Sequence, residues 1–280
     1  MDSDLLVVIG VGGMGQAIAR RQGAGRTVLL ADFDETGLSD TAAALAGDGY
    51  VVRTRRVDVS DPASVDELAK AAAELGPVTQ VAHTAGLSPV QAPADAVLRV
   101  DLLGVALVLD AFGGVIAPGG AGVVISSMAG HLSVYLTAEQ EEALADTPAE
   151  RLLELPFVDT AVAGDSAAAY GLAKRANHLR VRAASVAWGE RGARINSISP
   201  GVISTPMGQQ ELASEHGGRM RAMVEASAAK RLGTPEDIAG AAAFLLGPEA
   251  SFVSGTDLLV DGGTVAAIHA GRMGRGAGVN

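Results

Sequence analysis

Short runs of apolar residues alternate along the chain with longer, alanine-rich stretches of helical period. The apolar runs are continuous, which is typical of strands buried on both faces of a sheet. Seven strands are predicted, at Leu5–Gly10, Thr27–Ala31, Val51–Val57, Val78–Thr84, Gly122–Ser126, Ala193–Ser197 and Asp257–Val260. Helices fit between them at residues 14–23, 35–46, 62–75, 94–112, 167–189 and 235–247.

This alternation predicts an α/β fold with one doubly wound, parallel sheet of Rossmann type and helices on both faces. We expect a single domain over residues 1–271, followed by a flexible, glycine-rich tail at 272–280. Two long segments interrupt the rhythm, at 128–165 and 202–231. The first contains a run of leucines and acids that predicts a pair of short amphipathic helices, the second opened by Pro148.

Composition narrows the class of protein. The chain has 280 residues and a net charge of −11, which argues against nucleic acid or an anionic membrane as partner. There is no Cys, and the five histidines lack the spacing of a metal-binding helix, so no metal site is predicted. His131 has no partner at the spacing of a catalytic triad and is interpreted as a loop residue. Without a signal-peptide pattern or a long apolar run, a soluble, cytoplasmic protein is expected.

A glycine-rich turn follows the first predicted strand and opens a helix, and it consists of Gly10, Val11, Gly12, Gly13, Met14 and Gly15. Such a turn lets the backbone approach a pyrophosphate at the helix N-terminus. A tight turn without a ligand is the alternative. Asp32 ends the next strand, 17 positions after Gly15, where a carboxylate binds ribose hydroxyls and repels a 2′-phosphate. NAD is therefore the predicted cofactor, with Phe33 and Met14 placing no cation nearby.

Two further strand ends are candidates for cofactor contact. Asp58 and Val59 follow the third strand, where they would border an adenine or form an ordinary strand-ending turn. The fourth strand ends with His83, Thr84, Ala85 and Gly86. Their small size suits a close approach to cofactor, and equally a plain turn.

Tyr170 and Lys174 lie four residues apart in a predicted helix and therefore share one face. A fixed cation lowers the pKa of a neighbouring phenol, which makes Tyr170 a candidate general acid/base. The same pair, taken alone, is more often an exposed helical pair.

With these pieces in order, the chain resembles the short-chain dehydrogenase/reductase family over about residues 5–263. The resemblance rests on the glycine turn, Asp32, Asp58-Val59, Thr84-Ala85-Gly86, Val100 to Gly104, Ile125-Ser126-Ser127, Tyr170 with Lys174, Asn196 with Pro200-Gly201, Arg231 to Glu236, and Ser254 to Gly263.

The resemblance implies a role for each site residue. Ser127 would hydrogen-bond the substrate oxygen, with Ser126 as its rival, while Tyr170 transfers the proton and Lys174 lowers its pKa and holds the nicotinamide ribose. Asp101 would hold a relay water near Lys174. A nicotinamide clamp is implied at Pro200, Val202, Ile203 and Thr205.

The chain departs from the family pattern at four places. The glycine turn is one residue shorter, His83 replaces a usual Asn, and Asp101 replaces another Asn. Ser127 and Tyr170 are 43 positions apart, so the segment 128–165 is an insertion beside the active site. The resemblance also implies that residues 202–231 form a lid over the substrate.

The sequence therefore predicts an NAD-dependent oxidoreductase acting on a small-molecule secondary alcohol or ketone. Met207, Met220 and Met223 in the lid favour a hydrophobic substrate such as a hydroxysteroid, unless they only fill the lid's own core. A 3-oxoacyl-carrier reductase and a non-catalytic NAD-binding protein are the alternatives.

A homo-oligomer is expected, as a dimer or a tetramer. Family members pair subunits through the helices matching 94–112 and 167–189, and through the last strand with its preceding helix. The insertion would block the first pairing or replace it, or else form a loose surface loop that leaves both pairings free.

Overall fold

The computed structural model describes residues 4–132, 135–162 and 164–272, and within them it contains one parallel sheet of seven strands. The strands are β1 (Leu5–Ile9), β2 (Thr27–Asp32), β3 (Val51–Arg56), β4 (Val78–His83), β5 (Ile116–Ile125), β6 (Arg194–Pro200) and β7 (Asp257–Val260). Their order across the sheet is β3-β2-β1-β4-β5-β6-β7, and every neighbouring pair is parallel. The predicted fold class is confirmed.

The helices are α1 (Gly13–Gln22), α2 (Glu35–Gly47), α3 (Pro62–Leu75), α4 (Ala94–Val97), α5 (Gly104–Val115), α6 (Ala129–Leu132), α7 (Ala138–Asp146), α8 (Pro156–Val162), α9 (Ser166–Glu190), α10 (Pro206–Ala213), α11 (Gly217–Ala226), α12 (Pro235–Leu246) and α13 (Thr264–His269). A π-helical turn at Leu98–Leu103 joins α4 to α5, and 3₁₀ turns lie at Ala149–Glu154 and Pro248–Ala250. Of the helices described, none is both long and apolar enough to cross a bilayer.

Both faces of the sheet are covered, as the continuous apolar strands predict. In β1, the side chains of Leu5, Val7 and Ile9 enter one core with α3, α5 and α9, while Leu6 and Val8 enter a second core with α1, α2 and α12. Side chains alternate between the faces of a strand, and β1, with a core on each side, is apolar and buried at all five positions.

The strand order opens a crevice at the carboxyl edge of the sheet. From β1 the chain winds outward to β2 and β3, and from β4 it winds the other way to β5, β6 and β7. The crossover helices therefore leave β1 and β4 in opposite directions, and ligands bind at such switch points in open α/β sheets. The residues that follow β1, β2, β4 and β5 all reach this edge.

Strand β5 and the helix predicted at 94–112 differ from the sequence prediction. Strand β5 begins at Ile116 because Ile116 pairs with Val78 before the register shifts to Gln80 with Ala121, and the intervening Pro-Gly-Gly segment conceals the strand in the sequence. The predicted helix 94–112 contains the π-helical turn, which carries Asp101. Such turns occur often at functional sites.

The insertion packs into the main core, so the alternative of a loose surface loop is wrong. Leu144, Ala149, Leu152 and Val158 are each at most 3% exposed and belong to the core that contains α9. Arg180 of α9 also donates to the carbonyls of Leu144 and Thr147 at the end of α7. The predicted second helix is a 3₁₀ turn instead of an α-helix.

The chain end was predicted only in part. Helix α13 was not predicted, and of the proposed tail 272–280 all but Arg272 lies outside the described residues.

Candidate active site

The glycine turn is held by contacts that exclude any side chain at two positions. Gly10 has a φ of +95°, and a Cβ there would lie 2.4 Å from the backbone nitrogen of Ala85. A Cβ on Gly15 would lie 2.0 Å from the carbonyl oxygen of Gly10. The Thr84 hydroxyl donates to the same carbonyl at 2.7 Å. The turn between β1 and α1 is therefore built against the end of β4.

Gly12 differs, because a Cβ there would meet nothing within 4 Å. This exposed residue is the N-cap of α1, whose first backbone N–H groups and positive dipole end face the crevice. The protein's own packing does not require a glycine at this position, whereas an approaching pyrophosphate would. Gly13 lies beside Thr205, whose Cγ2 would be 3.1 Å from an ideal Cβ on Gly13, and Met14 packs on the second core.

Asp32 stands at the carboxyl end of β2 and accepts hydrogen bonds from the backbone. The Val11 N–H donates to its Oδ2 at 2.7 Å, and the Asp34 N–H donates to its Oδ1 at 3.0 Å. These bonds orient the carboxylate beside the glycine turn.

The expectation that no cation lies near this position is wrong. The Arg56 guanidinium lies 4.4 Å from the centroid of the exposed Phe33 ring. Arg56 ends β3 and pairs in register with Asp32, which becomes apparent only once β2 and β3 are known to be neighbours.

Asp58 makes local bonds, because its Oδ1 accepts from the backbone N–H and the hydroxyl of Ser60. The ordinary-turn interpretation accounts for these contacts. Val59 is buried against Gly104, where an ideal Cβ would lie 3.0 Å from Val59 Cγ2. Ala85 donates its N–H to Ile9, so the segment 84–86 closes over the end of β1.

Lys174 and Asp101 form a buried ion pair beside Tyr170. The Lys174 Nζ lies 3.0 Å from Asp101 Oδ2 and 5.2 Å from the centroid of the Tyr170 ring. Asp101 Oδ1 accepts the Leu87 N–H at 2.8 Å. Gly86 packs directly on the pair, with an ideal Cβ only 3.3 Å from Asp101 and 3.4 Å from Lys174. Asp101 thus contacts Lys174 directly.

The two candidate serines have different surroundings. Ser127 hydrogen-bonds the Tyr170 phenol, and its hydroxyl also accepts the Ala129 N–H at 3.1 Å. Ser126 is buried and donates its hydroxyl to the Lys174 carbonyl at 2.9 Å. Ser127 is therefore the serine beside the phenol, while Ser126 anchors α9.

The pKa of the phenol differs from the sequence expectation. Burial raises the pKa of Tyr170, Lys174 lowers it, Asp101 raises it again, and the net pKa lies above its ordinary value. For Lys174, burial lowers the pKa, but the charges of Asp101 and Tyr170 outweigh burial and raise it, so the ammonium stays protonated. The Asp101 pKa is raised by burial against the opposing effect of Lys174.

His83 sits at the end of β4 where the family has an Asn. It is buried, and neither ring nitrogen has a hydrogen-bond partner among the described residues. Burial, followed by the charge of Lys174, lowers the pKa of His83 to about 3, so the ring is neutral. The hydroxyl of the next residue, Thr84, donates to the Gly10 carbonyl at 2.7 Å.

The segment after β6 leads into α10 and α11, which make up most of the predicted lid. The Pro200 carbonyl accepts the Met128 N–H, and the side chains of Val202 and Ile203 are buried. The Thr205 hydroxyl accepts the Gly208 N–H as the N-cap of α10, which leaves its own hydrogen for a ligand.

Residues on α10 that were not singled out from the sequence face the loop after β4. Glu211 hydrogen-bonds the buried Ser88, and its charge raises the pKa of Tyr170. Next to it, Gln91 donates to Gln210 at 3.0 Å. The sequence pattern of α10 does not show which neighbouring element Glu211 faces, so this contact could not be predicted from the sequence.

His131 is not the partnerless loop residue that the sequence indicated. Its Nε2 lies 2.7 Å from Asp257 Oδ2, and its ring centroid lies 4.7 Å from that of His178. The absence of a metal site was predicted from sequence spacing alone, and these three residues are too far apart in the sequence for spacing to reveal them.

Comparison with known proteins gives consistent matches over nearly the whole chain. A family model described as Enoyl-(Acyl carrier protein) reductase matches residues 10–138 and 132–265. The chain is 42% identical over 267 residues to the short-chain dehydrogenase/reductase bsc3 of Alternaria brassicicola, covering 95% of this chain and 97% of that protein.

Two further relatives bear on activity. The 3-alpha-hydroxysteroid dehydrogenase/carbonyl reductase of Comamonas testosteroni is 34% identical over 188 residues, covering 66% of this chain and 72% of that protein. A variant of actinorhodin polyketide ketoreductase, solved with NADPH, superposes with a TM-score of 0.74 at 25% identity and covers 94% of this chain and 98% of that one.

Proposed function

The chain belongs to the short-chain dehydrogenase/reductase family, and we propose that it is an NAD-dependent enzyme that interconverts a secondary alcohol and a ketone. Members of this family are oxidoreductases, and so is this protein. The proposal rests on one observation above all: Tyr170, with Ser127 on its phenol and the Lys174–Asp101 ion pair beside it, lies at the edge of the sheet that carries the glycine turn.

The residues present fit a dinucleotide. The open space at Gly12 and the N-terminus of α1 suit a pyrophosphate, and the oriented Asp32 carboxylate suits ribose hydroxyls. Lys174 would hold the nicotinamide ribose, and Thr205 would bind the carboxamide. When bound, the nicotinamide supplies or accepts the hydride.

The chain's own groups move the proton and stabilise charge. Ser127 donates to the substrate oxygen and fixes it beside the phenol, as polar donors do where charge develops. Tyr170 gives its proton to that oxygen in reduction and takes it back in oxidation. The Lys174 ammonium stabilises the phenolate, and Asp101 keeps that ammonium charged and in position.

Cofactor preference depends on two opposing side chains. Asp32 favours NAD because its charge repels a 2′-phosphate, whereas Arg56 over Phe33 lies where it could attract one. We propose that Asp32 dominates, because two backbone N–H groups hold its carboxylate beside the glycine turn, whereas the Arg56 guanidinium lies over the exposed ring of Phe33.

Steady-state kinetics with both cofactors over a panel of secondary alcohols and ketones test the proposal. We expect a higher kcat/KM with NAD than with NADP. Asp32→Ala should lower the ratio of kcat/KM with NAD to kcat/KM with NADP by roughly tenfold or more. The reason is that the repulsion between the Asp32 carboxylate and a 2′-phosphate costs more than about 1.4 kcal/mol. Arg56→Ala should weaken only NADP use. Glu35→Gln, a nearby exposed carboxylate in the first turn of α2, is the matched control and should change neither.

A wild-type enzyme whose kcat/KM with NADP equals or exceeds that with NAD would contradict the cofactor assignment. It would leave the proposed reaction class unaffected. No turnover with either cofactor on any alcohol, ketone or acyl thioester would contradict the enzyme proposal itself and favour the non-catalytic NAD-binding alternative.

The same panel decides the substrate class. Met207 and Met220 are partly buried in the lid, whereas Met223 is buried and fills its core, so two of the three methionines remain candidates for substrate contact. Together with the relative named for hydroxysteroids, they support a hydrophobic alcohol. Activity confined to polyols would contradict this choice. Preferred turnover of 3-oxoacyl thioesters would support the acyl-carrier alternative.

We also propose a homodimer formed through β7 and α12. The insertion packs against α9, where Arg175 pairs with Glu141 and Arg180 with the end of α7, so this face is covered from within the chain. Phe244 on α12 is exposed, and Phe252, which precedes β7 in the sequence, is fully exposed; we propose that a second copy buries both side chains.

Light scattering should therefore report a dimer, and the double variant Phe244→Glu with Phe252→Glu should be a monomer. The control is Tyr135→Glu, which changes a fully exposed aromatic residue of the insertion and should leave the dimer intact. A tetrameric wild type, or a dimer that survives the double variant and dissociates in the control, would show that assembly uses another face.

A further inference from the structure

Three potential metal ligands from distant parts of the chain meet beside the catalytic residues. His131 lies on α6, His178 lies on α9 one turn after Lys174, and Asp257 begins β7. One ligand atom from each of the three lies within 4.8 Å of the others. Within residues 4–132, 135–162 and 164–272, this is the one group of at least three His, Cys, Asp or Glu side chains with such spacing.

The distances place one nitrogen of each ring around the carboxylate. His131 Nε2 lies 2.7 Å from Asp257 Oδ2, and His178 Nε2 lies 3.4 Å from Asp257 Oδ1. The His178 side chain is 4% exposed, that of Asp257 11% and that of His131 28%. The cluster is therefore sheltered but reachable from solvent on the side of His131.

We propose that His131, His178 and Asp257 bind a divalent transition-metal ion, with Zn²⁺ as the ion that fits best. Two imidazoles and one carboxylate form a mixed nitrogen and oxygen donor set, which Mg²⁺ and Ca²⁺ disfavour because they prefer oxygen. Three protein ligands leave a fourth position for water or an anion, as in open zinc sites.

The surroundings of Asp257 resemble an outer ligand shell. Ser197 and Ser199 both donate their hydroxyls to Asp257 Oδ1, at 2.6 Å and 3.0 Å. Outer hydrogen bonds of this kind orient ligating carboxylates. They also hold Oδ1 while Oδ2 faces His131.

The arrangement of charge suits a cation. The carboxylate of Asp257 lies between the two imidazoles, with His131 Nε2 at 2.7 Å and His178 Nε2 at 3.4 Å. The chain has no Cys, so thiolates do not compete for the ion.

Binding needs a small and definable change. Tetrahedral Zn²⁺ with bonds of about 2.0–2.1 Å keeps its ligand atoms about 3.3 Å apart. Asp257 Oδ2 lies 2.7 Å from His131 Nε2, so these two atoms must move apart by about 0.6 Å to bind one ion. His178 Nε2 lies 3.4 Å from the other carboxylate oxygen, Oδ1, and must turn toward Oδ2. The hydrogen bonds of His131 Nε2 to Asp257 and of His178 Nε2 to Ser199 must also break when these nitrogens coordinate the ion.

A bound ion would join three elements that carry or flank catalytic groups. Helix α6 follows Ser127 directly, α9 carries Tyr170 and Lys174, and β7 closes the sheet. A bound ion would thus fix the segment that carries Ser127 in position relative to α9, which carries Tyr170.

The test uses the full chain without a histidine tag, freed of metal by chelation and titrated with Co²⁺ and Zn²⁺. We expect one equivalent of Co²⁺ per chain with visible d–d absorption, its displacement by Zn²⁺, and a higher melting temperature with Zn²⁺. His131→Gln and Asp257→Asn should weaken binding by about 100-fold or more. His216→Gln, which changes an exposed histidine elsewhere, should bind like the wild type.

Melting curves of the metal-free variants verify that each is folded. If Asp257→Asn is not folded, His131→Gln decides, because its side chain lies at the rim. A wild type that takes up no stoichiometric Co²⁺ or Zn²⁺ below about 1 mM would overturn the proposal and leave the cluster as a hydrogen-bonded network. Binding that is unchanged in the folded variants would overturn it equally.

Discussion

Replacing Tyr170 with Phe is expected to lower kcat by roughly 10²- to 10⁴-fold, the usual contribution of a positioned acid or base. The substitution keeps the ring that packs on the main core and removes only the hydroxyl, which Ser127 contacts. Cofactor affinity should remain nearly unchanged, because the glycine turn and Asp32 are untouched. Steady-state kinetics and fluorescence titration with NADH measure the two effects separately.

Tyr50→Phe is the matched control for this variant. The Tyr50 hydroxyl donates to the Arg20 carbonyl at 2.7 Å, far from the ion pair, so its loss should affect stability slightly and turnover not at all. Turnover of Tyr170→Phe within a few-fold of the wild type would show that another group transfers the proton.

Asp101→Asn is expected to move the pH profile of alcohol oxidation to lower pH. Oxidation needs the phenolate, so kcat/KM rises with pH through the pKa of Tyr170. Asp101 raises that pKa, and removing its charge lowers it, so the rise begins at lower pH. Asp101 also raises the pKa of Lys174, so the loss of the ammonium at high pH should move downward too.

The same variant should be less stable, because it leaves the buried Lys174 ammonium without its carboxylate. Breaking a buried pair at one partner costs about 3–5 kcal/mol, and Asn retains the acceptor for Leu87, so the loss should lie at or below that range. Denaturant unfolding measures it.

Asp110→Asn on α5 is the control, since Asp110 lies 4.0 Å from Arg180 and has no part in the ion pair. Its pH profile should match the wild type. A profile for Asp101→Asn that stays in place or moves to higher pH would contradict the assigned coupling of Asp101 to Tyr170.

Local sequence patterns were sufficient to predict the parallel sheet and the family to which the chain belongs. Continuous apolar strands such as Leu5–Ile9 need two covered faces, and Gly10 needs a φ that other residues rarely adopt. These requirements act within a few residues, so a sequence displays them directly. The four-residue step from Tyr170 to Lys174 is local in the same sense.

What the tertiary structure alone decided involves groups that are distant in the chain. Arg56 reaches Phe33 because β2 and β3 pair in register, and Asp257 reaches His131 because β7 lies beside β6 and under α6. The pKa of Tyr170 likewise depends partly on local sequence and partly on tertiary packing. Sequence spacing predicts that Lys174 lowers it, but burial, which outweighs that charge, arises only when α9, the π-helical turn and the lid close around the phenol. Solvent exclusion depends on the whole packed chain, and no local pattern encodes it.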